Sequence, residues 1–164
     1  MNSRTILLVE DDPRDVEMTL AALEGKQGPE KIIVVNDGAA ALDYLYRRGK
    51  FADRVGPNPD VVLLDNKMPK VNGLEVLKIM RASAELRTIP VVVLTSSRET
   101  TDLVEFYKHG VNAYVVKPVD FSEFMAAVKK LGVFWAAVNE PPFVNLKAEA
   151  TIQDDGGVLP AGKN

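Results

Sequence analysis

Five short runs rich in Val, Ile and Leu recur along the chain: TILLV (5–9), KIIVV (31–35), VVLL (61–64), PVVVLT (90–95) and AYVV (113–116). Continuous apolar runs of this length predict strands buried on both faces, as in a parallel sheet. The longer stretches between them space apolar residues three or four apart, as in Val16, Leu20 and Leu23 after Pro13, or Leu74, Leu77 and Met80 after Gly73. That spacing predicts amphipathic helices. Strand and helix alternate five times, so the predicted fold is α/β, a doubly wound five-stranded parallel sheet with helices on both faces and right-handed crossovers.

The pattern breaks in three places. Residues 47–60, RRGKFADRVGPNPD, are rich in charge, Gly and Pro and make a longer connection than is usual, a candidate contact surface. The last helix is expected to be long, capped by Asp120 and running past Trp135 toward Asn139, about 28 Å from end to end. From Leu146 onward the periodicity fades, which predicts a flexible tail with no output domain. The expected division is a domain over 1–139 and a C-terminal extension over 140–164 that contributes in part to a dimer contact.

In a doubly wound sheet ligands gather at the strands' carboxyl ends, where the winding reverses. There the predicted first strand runs into Glu10, Asp11 and Asp12, the third into Asp65, the fourth into Thr95, Ser96 and Ser97, and the fifth into Lys117 and Pro118. A desolvated, unpaired Asp65 would cost several kcal/mol, roughly, so it must be solvated, paired or metal-bound; crowded carboxylates repel one another unless a cation joins them, and oxygen ligation suits magnesium (Mg2+). A metal-held carboxylate beside a hydroxyl and an ammonium can take a phosphoryl group. The ion, Lys117 and Thr95 would meet its three oxygens while an Asp65 oxygen attacks in line. Asp12 is expected to cap the helix opened by Pro13 rather than to bind metal.

Composition narrows the alternatives. Twenty basic against 23 acidic residues, net charge -3, leave no run that marks a nucleic-acid surface. The absence of cysteine excludes disulfides and thiolate zinc sites. The single histidine, His109, precedes Gly110 near a predicted helix end, where a structural role is expected; it argues against a histidine kinase or phosphotransfer protein. The N-terminus has no signal-peptide core and no segment is long enough to span a membrane, so a cytoplasmic, unprocessed protein is expected.

The ordered set ILLVEDD, VLLDNKMPKVNG, VVVLTSS and AYVVKP, over roughly residues 4 to 138, resembles the receiver domains of bacterial two-component response regulators. The resemblance implies that Asp65 is the phosphorylation site, Glu10 and Asp11 the acid pair, Thr95 the switch hydroxyl and Lys117 the lysine of the site. It implies magnesium held by Asp11, Asp65 and the Lys67 carbonyl, with Glu10 acting through water, and Tyr114 as an aromatic switch. It also implies a cis bond at Pro118, a sensor histidine kinase as phosphoryl donor, a downstream protein target and slow self-dephosphorylation rather than ordinary enzyme activity. Asn66 departs from the apolar residue usual after the acceptor aspartate, and Lys67 and Ser97 would flank the hydrolytic water.

The long loop before PDVVLLD and the FWAAVNEPP ending are similar to stand-alone regulators paired with bacterial phytochromes. A homodimer is expected through Phe134, Trp135, Val138, Pro141, Pro142 and Phe143. Two alternatives stay open: a pseudo-receiver that binds partners without phosphate, and a magnesium-dependent aspartyl phosphohydrolase. The second is disfavoured by Lys67, which stands where such enzymes carry a second aspartate.

Overall fold

A computed structural model describes residues 4–29 and 31–141. The five apolar runs form β1 (Thr5–Val9), β2 (Lys31–Val35), β3 (Val61–Leu64), β4 (Val91–Thr95) and β5 (Ala113–Val116). All pair in parallel in the order β2-β1-β3-β4-β5. The expected fold is the observed one. The winding reverses between β1 and β3, which places Glu10 and Asp65 at the same crevice.

The central strands are covered on both sides because their successive side chains point to opposite faces. Leu7, Val9, Val62, Leu64, Val91 and Val93 pack under α2 (Gly38–Tyr46), α3 (Gly73–Ala82) and Phe106 of α4 (Thr100–Lys108). Ile6, Leu8, Val61, Leu63, Val92 and Leu94 face α1 (Pro13–Leu23) and α5 (Phe121–Val133). Each fully buried Leu or Val contributes about 1.5–3 kcal/mol of transfer free energy.

Four helix starts carry the side-chain caps that satisfy the first free N–H groups. Asp12 accepts from the Arg14 N–H at 2.9 Å, Asp37 from Ala40 at 2.7 Å, Asn72 from Glu75 at 3.0 Å and Asp120 from Glu123 at 3.0 Å. Asp12 and Asp120 therefore do what the sequence predicts. His109 ends α4 just before Gly110, whose φ of +84° closes the helix.

Residues 47–60 are a built loop. A 3-10 turn spans Gly49–Phe51, and Arg54 donates to the carbonyls of Tyr44 and Pro57 and to the Asn58 side chain while its guanidinium lies 4.3 Å from the Tyr44 ring centre. At the sheet's opposite edge from the carboxylates, Arg81 at the end of α3 donates to the carbonyls of Arg87, Ile89 and Gly110 and to Asn112 Oδ1. The same Asn112 oxygen takes the Val91 N–H, so one guanidinium ties α3, β4 and the α4–β5 connection together.

The final helix extends to Val138 as expected, but its last turn, Phe134–Val138, is wound as a π turn. Trp135 is buried against Val128, Phe124 and Leu23 and not on the surface, which corrects the expected contact. Phe124, Val128 and Trp135 recur at four and seven residues, the spacing of one core-facing stripe. Phe134 and Val138 stay exposed and Pro141 is buried, while Pro142, Phe143 and the tail lie outside the described residues.

Candidate functional site

The carboxylates reach one edge because the sheet ladder continues past the strands. The Glu10 N–H donates to Val35 O at 3.1 Å, the Asp65 N–H to Val9 O at 3.0 Å, and the Lys117 N–H to Thr95 O at 2.7 Å. Each functional residue is thus pinned by its own backbone one step beyond a strand. The connection that leaves Asp65 is equally fixed: the Gly73 N–H donates to Asn66 O at 2.9 Å, and a Cβ on Gly73 would collide with the Asp65 carbonyl oxygen. Only glycine allows α3 to start that close.

Glu10, Asp11 and Asp65 each bring a carboxylate oxygen within 4.8 Å of the other two. Glu10 and Asp65 are buried, Asp11 is exposed, and the opening faces solvent beside Asn66 and Lys67. Burial pushes the Glu10 carboxyl up to about 7 against the pull of Lys117, and the neighbouring Asp65 charge adds to the rise. Burial likewise holds Asp65 above the ordinary carboxylate range, although Lys117 and the Asn66 N–H, which donates to Oδ1 at 2.8 Å, oppose it. Hard oxygen donors that resist ionising together fit a divalent cation such as Mg2+.

Lys117 points into this cluster. Its ammonium lies 2.7 Å from Glu10 Oε2, 2.7 Å from Asp15 Oδ2 and 3.9 Å from Asp65 Oδ1. Burial works against its charge, but the hydrogen bonds to Asp15 and Glu10 outweigh burial and the net shift is upward. Among the described residues every peptide bond is trans, Lys117–Pro118 included, so the expected cis bond is corrected. The ion pairs with Glu10 and Asp15 account for the inward direction.

Asp15 is absent from the sequence-based list. An acid in the first turn of a helix is ordinarily explained by the helix dipole, and nothing local shows that β5 brings a lysine to it. Its place, two residues after Pro13 on the turn that follows Glu10 and Asp11, is the nearest thing to a sequence signal, and it does not reveal the partner.

Thr95 is buried at the end of β4, and its hydroxyl accepts the Ser97 N–H at 3.2 Å. Ser97 in turn donates from Oγ to Asp102 Oδ2 at 2.6 Å, in the first turn of α4, and its carbonyl accepts the Tyr114 hydroxyl at 3.2 Å. Tyr114 packs its ring 5.6 Å from that of Phe106, facing inward. Thr95, Tyr114 and α4 therefore meet at Ser97. Lys67 is exposed and lines, with Asp11, Asn66 and Asp102, a surface cavity of about 440 Å3.

A family model described as the response regulator receiver domain matches residues 6–129. Three solved structures are similar to the chain. The bacteriophytochrome response regulator RtBRR is 58% identical, with 92% of this chain and 91% of that one covered and a TM-score of 0.69. The phosphorylated cyanobacterial phytochrome response regulator RcpA is 34% identical over 86% of this chain and 99% of that one, with a TM-score of 0.81. The Mn(2+)-bound form of response regulator Rcp1 is 32% identical over 85% and 99%, with a TM-score of 0.79. Rcp1 of Synechocystis sp. is 33% identical over 132 residues, 80% of this chain and 88% of that one.

Proposed function

The chain belongs to the response regulator receiver domain family, and on that premise we propose that Asp65 accepts a phosphoryl group from the phosphohistidine of a sensor kinase. One Asp65 oxygen bonds to phosphorus as the P–N bond of the donor breaks, the electron pair stays on the imidazole nitrogen, and an acyl phosphate results. Glu10, Asp11, Asp65 and the Lys67 carbonyl are the groups that would hold Mg2+, which when bound neutralises charge on the phosphoryl oxygens. Lys117 supplies a second positive charge, and the Thr95 hydroxyl a neutral donor.

One observation carries this reading: three carboxylates converge within 4.8 Å while a largely shielded lysine stands 3.9 Å from the one just past β3. The response is a change of binding surface. Thr95 and Tyr114 share Ser97, so a pull on Thr95 reaches α4 and β5, whose neighbourhood exposes Val104, Tyr107, Val119 and Phe121 to a downstream protein. RtBRR and RcpA, both named for phytochrome signalling, support a bacteriophytochrome-type kinase as donor. The exposed Phe134 and Val138 support a homodimer through the C-terminal helix.

Incubation with acetyl phosphate and Mg2+, followed by intact mass, tests the acceptor. The wild-type chain should gain one phosphoryl group and Asp65→Asn none. An unmodified wild-type mass, under conditions that label a control receiver, refutes the proposal.

A further inference from the structure

The ammonium of Lys117 is not spent on Asp65. Of its three N–H donors, one is directed to Glu10 and one to Asp15, each at 2.7 Å, whereas the 3.9 Å to Asp65 exceeds a hydrogen bond. Asp15 does not cap α1, since Asp12 already does so, and its carboxylate reaches across to a residue of the β5 edge, 102 positions away in sequence. Both partners are shielded, with side chains 10% and 25% exposed, so the pair is screened less than a surface ion pair.

We propose that Asp15 is a positioning residue that holds the Lys117 ammonium away from Asp65, and so keeps the acceptor carboxylate available to a divalent cation. The proposal builds on the reading of Asp65 as the phosphoacceptor and adds how the site is kept ready. Without Asp15, the carboxylates left within reach of the ammonium are those of Glu10 and Asp65, and a move of about 1 Å brings it into hydrogen-bonding range of Asp65. There it competes directly with Mg2+ for the same oxygens. With Asp15 present, the lysine is stored nearby, charged and ready for the phosphoryl oxygens.

The test is a double-mutant cycle on Mg2+ affinity, measured by calorimetric titration of the full chain as wild type, Asp15→Ala, Lys117→Ala and the double variant. Asp15→Ala should weaken Mg2+ binding about three- to tenfold in the wild-type background and by less than about twofold when Lys117 is already alanine. In acetyl phosphate labelling, Asp15→Ala should raise the half-saturating Mg2+ concentration by the same factor and leave the rate at saturating Mg2+ within about twofold. Asp15→Asn, which keeps an acceptor oxygen, should fall between wild type and Asp15→Ala, and it replaces the alanine variant should that one melt below the titration temperature.

An equal loss in both lysine backgrounds would mean that Asp15 acts on the ion directly and would overturn the proposal. So would unchanged affinity of the Asp15 variant while Lys117 is still present, or a wild-type chain that binds no Mg2+. A wild-type chain that binds Mg2+ yet takes no phosphoryl group sinks the acceptor reading alone, and the metal cycle then decides the role of Asp15.

Discussion

Glu10 is the residue at which burial and function conflict most openly. Its carboxyl is held at about 7, by burial first, against an ordinary value near 4.5. The native chain therefore binds a proton below about pH 7 that the unfolded chain binds only below about 4.5. Stability in the absence of metal should fall as pH rises from about 4.5 to 7 and then level off with respect to this group. Mg2+ binding runs the other way, because it needs the ionised carboxylates: affinity should rise by up to about tenfold per pH unit over the same window. Thermal melts in chelator and Mg2+ titrations at pH 6 and pH 8 check both signs, and Glu10→Gln should flatten both curves. Equal affinities at the two pH values would show that this carboxyl does not gate the ion. Glu10, Asp11, Asp65, Thr95 and Lys117 stood out in the sequence because each lies at or just past the end of an apolar run. Asp15 could not, because its partner, Lys117, comes from 102 positions away and meets it only in the folded chain.

At the scale of elements, the five strands matched their apolar runs to within a residue, since an unbroken run of Val, Ile and Leu has few other places to go than a doubly covered sheet. Two helix starts, those capped by Asp12 and Asp120, were equally plain; the Asp37 and Asn72 caps were not singled out. The end of the last helix was not plain. Its length was predictable, but the π winding of Phe134–Val138 was not, and the spacing that puts Trp135 on the stripe of Phe124 and Val128 did not by itself decide between core and contact. The start of α3 is the element boundary on which the site leans most. Gly73→Ala forces a Cβ against the Asp65 carbonyl, so urea unfolding should show a loss of roughly 1–3 kcal/mol, accompanied by weaker Mg2+ binding. Retained stability with intact metal affinity would mean that the connection yields without disturbing Asp65.

For the whole molecule, the exposed apolar residues are not spread evenly. Phe134 and Val138 stand at 47% and 61% exposure on the terminal π turn, next to a tryptophan that is buried. If they form the dimer contact, Phe134→Ser with Val138→Ser should convert a dimer to a monomer in sedimentation velocity and leave the melting temperature nearly unchanged. Trp135→Ala should instead destabilise the fold by about 3–5 kcal/mol, as expected for a core aromatic. A dimer that survives the double substitution excludes this surface. No helix among the described residues is long and apolar enough to cross a membrane. The guanidinium of Arg81 gives the molecule a mechanical asymmetry, for it rivets the far end of α4 to α3 and β4 through Gly110 and Asn112. Among the described residues, the side-chain hydrogen bonds at the near end gather on Ser97, which donates to Asp102 and accepts the Glu99 N–H. Under the proposed function, a tug delivered at Thr95 would work on a lever with one pivot already bolted down, and its travel would be greatest where α4 leaves the Asp65 edge.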